Sequence, residues 1–196
     1  MSTDTRDRIL TAMGELMRRQ GYSATGVKQV CDLAHARMGS LYHYFPHGKQ
    51  QVAAESLRAS GEAYIQLLPL LMDPYDDLGD AVSAFFEAGA QQIEDSGWIN
   101  MCPVGTVAGE IADSEPELRA AAADIMGSWV AAGTTYFEAR GLGNADAREL
   151  ILAILGALEG AFVLCRTLRT SEPMRAAGRS MTAHLETLRS GKKYAS

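Results

Sequence analysis

The sequence predicts an all-α fold with about nine helices. Apolar residues recur at three- and four-residue intervals along most of the 196 residues, which is the spacing of amphipathic helices. Six prolines are spread along the chain, a pattern typical of breaks between one helix and the next. Neither Asn-Gly nor Asp-Gly occurs, and alternating apolar runs are scarce, so strands have little support.

Composition predicts a cytoplasmic protein without a membrane segment. Apolar residues make up 47% of the chain, enough for a sizeable core. No run of about 18 apolar residues is present to span a membrane, and the first eight residues lack the apolar stretch of a secretory signal. Three widely spaced cysteines argue against a disulfide framework and against a paired-cysteine metal site. We therefore expect no metal and no cofactor.

The amino-terminal segment predicts three helices. An apolar stripe over 9–17 stops before Gly21, a residue suited to a helix end. A short helix over 27–33 follows, then a tight connection over 34–36 and a second short helix over about 37–45. Two short helices joined by a turn of three to four residues form a helix-turn-helix unit, whose second helix enters the major groove of DNA.

Helical spacing divides these two short helices into inner and outer faces. Val30 and Leu33 are expected on the inner side of the first, and Met38, Leu41 and Phe45 on the inner side of the second. The outer face of the second helix carries Gly39, Ser40, His43 and Tyr44, with Tyr42 at its boundary. Hydroxyl, imidazole and phenol groups can reach phosphates and base edges, so we favour a DNA-contacting face over an ordinary solvated one.

Charge is distributed unevenly along the chain. Residues 1–60 carry eight Lys and Arg against five acids, a net charge of +3, whereas the whole chain carries −6 and the remainder therefore −9. A cationic module joined to a larger acidic one suggests an anionic partner such as double-stranded DNA. An offset of this size also arises by chance in ordinary domains.

The rest of the chain predicts longer helices. They are expected over 49–71, 78–93, 117–140 and 147–170, with a last one opening at Pro173. Ser114 and Glu117 have the spacing of a capping box, which would start the 117–140 helix. Thr170 and Ser171 fit a cap in front of the final helix.

The two longest predicted helices are candidates for contact with a second copy of the chain. Each would be roughly 36 Å long. The second carries a small-residue and apolar segment made of Gly156, Ala157, Leu158, Gly160, Ala161 and Phe162. Such a segment suits close helix packing, either inside one subunit or across a two-fold axis, and we favour the dimer interface.

Two sets of residues resemble a known family of bacterial transcription regulators. Over about residues 6–58 the chain resembles the DNA-binding domain of TetR-type regulators, through Thr25–Val27, Ala34, Gly39–Pro46 and Lys49. The string GSLYHYFPHGK is the specific part of that resemblance. Farther along, the chain is similar to the LmrA/YxaF-like subgroup at Cys102–Val104, Glu110–Glu117, Leu158–Ala161, Arg166 and Ser171–Pro173.

The resemblance implies a helix-turn-helix domain over 1–48 and a helical ligand-binding and dimerisation domain over 49–196. The outer face and the resemblance together give the predicted DNA-binding residues, which are Thr25, Lys28, Arg37, Met38, Gly39, Ser40, Tyr42, His43, Tyr44 and Lys49. Lys49 is expected to donate to a phosphate. Thr25 is expected to cap the first short helix, with phosphate contact as a second option.

TetR-type regulators commonly bind a small molecule in the carboxy-terminal domain. The resemblance therefore implies a pocket among aromatic and methionine side chains that would otherwise be plain core. The candidates are Tyr64, Phe85, Phe86, Trp98, Met101, Met126, Trp129 and Phe162. The acidic charge of this domain disfavours anions, so the expected ligand is a small hydrophobic molecule.

Three positions depart from the family pattern. His35 stands where the turn usually has glycine, although a positive φ is less comfortable for histidine. Arg37 replaces a serine-like cap and Met38 replaces a polar or basic residue. Because Arg37 and Met38 lie in the helix that contacts DNA, an operator sequence cannot be transferred from relatives.

The sequence as a whole predicts a homodimeric repressor that a small hydrophobic ligand releases from a palindromic operator. A dimeric regulator gated by a protein partner, or by nothing, is the alternative, and a helical enzyme or carrier is a more remote one. The motifs GxSxG and HExxH and a phosphate-binding glycine loop are absent, so we predict no enzymatic activity. Cys102 is interpreted as a buried, inert thiol rather than a redox sensor.

Overall fold

The computed structural model describes residues 4–111 and 114–191, and this part of the chain contains ten helices and no strand. The helices are α1 (Thr5–Gln20), α2 (Val27–Leu33), α3 (Met38–Tyr44), α4 (Lys49–Ile65), α5 (Leu67–Met72), α6 (Leu78–Asp95), α7 (Pro103–Ile111), α8 (Pro116–Ala139), α9 (Asn144–Leu168) and α10 (Glu172–Arg189). The all-α prediction is confirmed.

The helix predicted over 49–71 is interrupted, which accounts for one helix more than expected. α4 ends at Ile65 and α5 begins at Leu67. Pro69 has no N–H to donate, and in a continuous helix its ring would clash with the carbonyl four residues earlier, that of Ile65. The segment therefore forms two helices in sequence.

The ends of the helices follow local backbone chemistry. Gly21 ends α1 as predicted, with φ +81° and its N–H bonded to the Met17 carbonyl. The predicted capping box before α8 is wrong, because the Ser114 hydroxyl donates to the Ile111 carbonyl (2.6 Å). Serine side chains often bond nearby backbone in this way, and α8 begins two residues later, at Pro116.

The chain divides into two compact units. The first takes residues 1–63 and 101–126, and the second takes 64–100 and 127–196. In the first unit α1 packs against α2, α3 and α7. Its fully buried side chains include Ile9, Met13, Met17, Val30, Leu41, Phe45 and Leu57.

The second unit is built around α6, α9 and α10, which pack against one another, with α5 against α6. Gly178 of α10 has no room for a side chain, because a Cβ there would lie 2.8 Å from Cβ of Phe86. Gly133 of α8 likewise faces Ile151 of α9, whose Cγ1 would lie 2.4 Å from an added Cβ. Small residues therefore allow close helix approach at two places in this unit.

α9 and α8 carry a surface of small and apolar residues. On α9 the exposed apolar side chains are Leu152, Val163, Leu164 and Leu168. Gly156 and Gly160 share this exposure, since a Cβ at either position would meet no atom within 4 Å. α8 exposes Ala120, Ala123, Gly127, Ala131 and Thr135. The predicted small-residue segment is thus divided, because Ala161 and Phe162 are buried inside their own subunit.

By length and composition, α9 would be able to cross a membrane. The sequence predicts no such helix, because no unbroken apolar run is long enough. One third of the most apolar stretch of α9 is buried within the protein, against neighbours that include α6 and α10. Core helices of soluble proteins share this composition, so one such helix is weak evidence for a membrane protein.

Candidate DNA-binding surface

α2 and α3 form the predicted helix-turn-helix, and the turn between them is held by backbone hydrogen bonds. The Ala36 N–H donates to the Cys31 carbonyl (2.9 Å), and the His35 N–H donates to the Asp32 carbonyl (3.3 Å). His35 adopts φ +49°, the left-handed conformation for which glycine is usually required. The departure from the family pattern at this residue therefore leaves the turn intact.

Of the five residues predicted to lie on the inner faces of α2 and α3, three are buried and two are exposed. Val30, Leu41 and Phe45 are fully buried. Leu33 and Met38 are not, with 42% and 45% exposed, so their predicted inward placement is wrong. Leu33 is the last residue of α2 and Met38 the first of α3, where a helix end beside a turn has less covering structure.

The outer face of α3 offers polar groups around an open backbone. Tyr42 is 50% exposed, and His43 is exposed. The rings of His43 and Tyr44 pack edge to face, with their centres 5.2 Å apart. Ser40 and Tyr44 are half-buried. A Cβ at Gly39 would have no neighbour within 4 Å, so nothing in the described chain obstructs approach to the backbone there.

Tyr42 is positioned by the turn that follows α3. Gly48 adopts φ +66°, and a Cβ at this position would lie 3.2 Å from Cε1 of Tyr42. The phenol ring therefore packs against the backbone of Gly48 while half of the side chain stays accessible. A larger residue than glycine would displace the ring.

The predicted cationic residues differ in their surroundings. Lys28 is exposed and pairs with Asp32 one turn along α2 (2.8 Å). Arg37 is exposed at the start of α3. The ammonium of Lys49 lies 4.0 Å from the centre of the Tyr22 ring. Burial lowers the pKa of Lys49, against the opposing effect of the nearby carboxylates.

Thr25 is completely buried and does not cap α2. Its hydroxyl donates to the Gly21 carbonyl at 2.6 Å. Gly26 is the residue that precedes α2, and its N–H donates to the Gln29 side chain (2.8 Å). The predicted capping role of Thr25 is therefore wrong, since the hydroxyl is used inside the preceding turn.

Two arginines of α1 hold the helix-turn-helix from within the first unit. Arg8 donates through Nε to the Ala34 carbonyl at the end of α2 (3.0 Å). Arg6 pairs with Glu55 of α4, and its guanidinium lies 5.5 Å from the centre of the Phe45 ring. Part of the positive charge of residues 1–60 is therefore used inside the unit.

A carboxylate that the sequence analysis did not single out lies beside these helices. Glu110 of α7 accepts from two consecutive backbone N–H groups, those of Tyr22 and Ser23, each at 2.7 Å. Partial burial acts to raise the pKa of Glu110, but the bonds from Ser23 and Tyr22 and the charge of Lys49 lower it overall. The only sequence signal was the acidic stretch from Glu110 to Glu117.

The predicted ligand-binding residues belong to both units, most of them to the second. Tyr64 and Trp129 stack in the second unit, with ring centres 6.3 Å apart and planes at 24°. Phe86, fully buried, meets Phe85 edge to face. Trp98 and Phe162 belong to the same unit, whereas Met101 and Met126 belong to the first.

Cys102 is buried, as predicted from the sequence. Cys31, Cys102 and Cys165 are buried and unbridged. The Cys102 sulfur accepts from the Gly105 N–H at 3.3 Å and so caps the start of α7. Among the residues that the structure describes, no His, Cys, Asp and Glu side chains are grouped so as to hold a metal ion.

Two family models match the chain. Residues 9–55 match the model of bacterial regulatory proteins of the tetR family. Residues 79–180 match the carboxy-terminal domain of LmrA/YxaF-like transcriptional regulators. The first match covers α2 and α3, and the second covers α9 together with the first half of α10.

Relatives of known sequence are similar over most of their length. The HTH-type transcriptional regulator YxaF of Bacillus subtilis is 32% identical over 171 residues, 87% of this chain and 90% of its own. LmrA of the same organism is 29% identical over 171 residues, 87% and 91% of the two chains. The HTH-type transcriptional repressor NemR of Escherichia coli is 27% identical over 119 residues, 60% of this chain and 59% of its own.

Solved structures show the same fold. A regulatory protein TetR from Rhodobacter sphaeroides superposes with a TM-score of 0.80 at 22% identity, covering 92% of this chain and 98% of the other. The reduced form of E. coli NemR superposes with a TM-score of 0.76 at 22% identity, covering 91% and 95%.

Proposed function

Since the chain belongs to the TetR family of bacterial transcription regulators, in its LmrA/YxaF-like subgroup, we propose that it is a ligand-released repressor. As a member of this family it is a DNA-binding regulator and not an enzyme. The proposal adds three properties. The chain acts as a homodimer in the cytoplasm, it binds a palindromic operator, and a small hydrophobic ligand releases it.

The exposed outer face of α3 is the observation that carries this proposal. Tyr42 and His43 present hydrogen-bonding groups beside Gly39, where the helix surface is open. Side chains at the start of a recognition helix meet base edges in the major groove. Tyr42, His43 and the exposed part of the Met38 side chain would therefore contact the operator, with Arg37 and Lys28 near its phosphates.

The exposed surface of α8 and α9 supports a dimer. Leu152, Val163, Leu164 and Leu168 would stay in contact with water in a monomer, which is unfavourable for four large apolar side chains on one helix. A second copy related by a two-fold axis would cover the same residues on both chains. Two recognition helices related by that axis would meet a palindromic site.

The stacked pair Tyr64 and Trp129 supports a site for a hydrophobic ligand in the second unit. A ligand that binds better to a conformation unsuited to DNA shifts the population away from the operator. A coupling free energy of about 1–3 kcal/mol would change operator affinity roughly 5–150-fold. The name of NemR, a repressor, supports negative regulation.

Two linked measurements test the proposal. DNA duplexes are first enriched from a randomised library with the wild-type protein. Hydrophobic compounds are then titrated while tryptophan fluorescence and release of the enriched duplex are followed together. The proposal expects one compound class to change both signals over the same concentration range, because one coupling free energy links them. Fluorescence changes without DNA release would instead indicate a dimeric regulator that no small ligand controls.

A further inference from the structure

The turn Gly21–Ser23, which leads from α1 toward α2, is held by one carboxylate. Oε2 of Glu110 accepts from the Tyr22 N–H and Oε1 accepts from the Ser23 N–H, each at 2.7 Å. Both carboxylate oxygens are therefore used on two adjacent backbone donors. An ionised acceptor strengthens such bonds, and the lowered pKa of Glu110 keeps it ionised at neutral pH.

The backbone of the turn is built to admit this carboxylate. Gly21 has φ +81°, a conformation that side chains rarely adopt. A Cβ at Gly21 would also lie 2.5 Å from Oε2 of Glu110. Glycine is needed here for its conformation and for the space that the carboxylate occupies.

Further contacts surround the same turn. The buried Tyr22 side chain is hydrogen-bonded to Glu115, and Glu115 also accepts from Gln50 Nε2 (3.0 Å). Burial, together with the carboxylates of Glu115 and Glu110, raises the pKa of Tyr22 to about 12, so the phenol keeps its proton. Lys49 lies over the same ring. The start of α4 and the segment before α8 therefore meet at Tyr22.

Hydrogen bonds and helix packing connect the Gly21–Ser23 turn to α3, the recognition helix. The Thr25 hydroxyl donates to the Gly21 carbonyl (2.6 Å), and the Thr25 N–H donates to the Tyr22 carbonyl (3.0 Å). α2 begins two residues after Thr25 and packs against α3. A displaced turn would shift the start of α2 and, with it, the outer face of α3.

We infer that Glu110 is a positioning residue for operator recognition, because its carboxylate fixes the Gly21–Ser23 turn and thereby the orientation of α2 and α3. This inference rests on the proposed DNA-binding function. Glu110 contacts no DNA in this account. Its loss should therefore reduce sequence-specific binding, which needs a fixed helix orientation, more than non-specific binding, which needs only positive charge.

The test compares Glu110→Gln with Glu62→Gln, which changes an exposed carboxylate of α4 that makes none of these contacts. Affinity is measured at one salt concentration for the enriched duplex and for a random duplex. Removing a negative charge should by itself favour DNA binding. We expect Glu110→Gln to bind the enriched duplex with at least about tenfold lower affinity than the wild type, a loss of about 1.4 kcal/mol of binding free energy. Its affinity for the random duplex should not fall. Glu62→Gln should lose nothing on either.

Chemical rescue separates a positioning role from general loss of structure. Glu110→Ala leaves the Tyr22 and Ser23 N–H groups without their acceptor, next to the ammonium of Lys49. Formate supplies the missing carboxylate. It should raise the affinity of Glu110→Ala for the enriched duplex at least about threefold over the affinity in chloride at equal ionic strength. The wild type and Glu62→Gln should not respond to formate, and circular dichroism should show all variants equally helical.

Equal specific affinity of Glu110→Gln and the wild type would overturn the inference, as would an equal loss on both duplexes. An absence of formate rescue in a fully folded Glu110→Ala variant would overturn it as well. A wild-type protein that enriches no sequence at all would overturn the proposed function instead. The two failures are therefore distinguishable.

Discussion

Tyr42 combines a fixed ring with an accessible side chain. Its ring packs against Gly48, so removal of the hydroxyl should leave the fold unchanged. A hydrogen bond to a charged phosphate contributes about 1.5–3 kcal/mol. We expect Tyr42→Phe to weaken binding of the enriched duplex at least several-fold, measured by fluorescence anisotropy. Tyr75 is an exposed tyrosine of the second unit, and Tyr75→Phe should leave the affinity for the enriched duplex unchanged. Equal affinity of Tyr42→Phe and the wild type at matched salt would remove the hydroxyl from the contact set.

Lys49 contacts the Tyr22 ring and is predicted to contact a phosphate, and a substitution can separate the two. Its ammonium lies over the Tyr22 ring, and the sequence analysis predicts that it donates to a phosphate. Lys49→Met keeps an apolar stem over the ring and removes the charge. We expect weaker binding to all sequences alike and a salt dependence of log K that is shallower by about one unit. An unchanged salt slope with altered base preference would show that Lys49 is not a phosphate contact.

At the residue scale, helical spacing predicted the burial of only part of the inner face of α3. Leu41 and Phe45 are buried as helical spacing required. Met38 obeys the same spacing yet is 45% exposed, because spacing describes a helix face and not what covers its end. Glu110 and Gly21 are 89 residues apart in sequence, and only the fold brings them together.

Among the elements, glycines decide how closely helices approach. Gly133 in α8 faces Ile151 of α9, and a Cβ would lie 2.4 Å from its Cγ1. A Cβ added at Gly109 in α7 would have no atom within 4 Å. We expect Gly133→Ala to destabilise the fold by about 1–3 kcal/mol through overpacking. Gly109→Ala should stabilise it by about 0.5–1 kcal/mol through helix propensity. Thermal unfolding measures both, and a stabilising Gly133→Ala would contradict the packing described.

Helix ends show where element boundaries can be predicted. Gly21 acts through backbone chemistry that is local to the chain, so the end of α1 follows from sequence. The proline rule was available at Pro69, but the apolar pattern over 49–71 ran across it and concealed the break. Ser114 does not cap α8, because its hydroxyl donates to the Ile111 carbonyl.

For the whole molecule, the dimer is tested by a substitution that one subunit can accept. A Cβ at Gly160 would meet no atom of the described chain within 4 Å, so we expect Gly160→Arg to fold as a monomer. In a dimer through α8 and α9 the arginine would be buried without a partner, at a cost of several kcal/mol. We expect a monomer at micromolar concentration by sedimentation, with operator binding lost. Ala183→Arg on the exposed side of α10 is the matched control. A dimer that persists in Gly160→Arg would place the interface elsewhere.

The symmetry of the DNA that the wild-type protein enriches from a randomised library tests the account most directly, because it reports α3, the dimer and their geometry together. We expect an inverted repeat whose half-site centres are about one helical turn of DNA apart, roughly 34–36 Å, or slightly more. Two chains should bind each duplex, and Gly160→Arg should enrich no such repeat. A direct repeat, a single asymmetric site, or no enriched sequence would contradict the account.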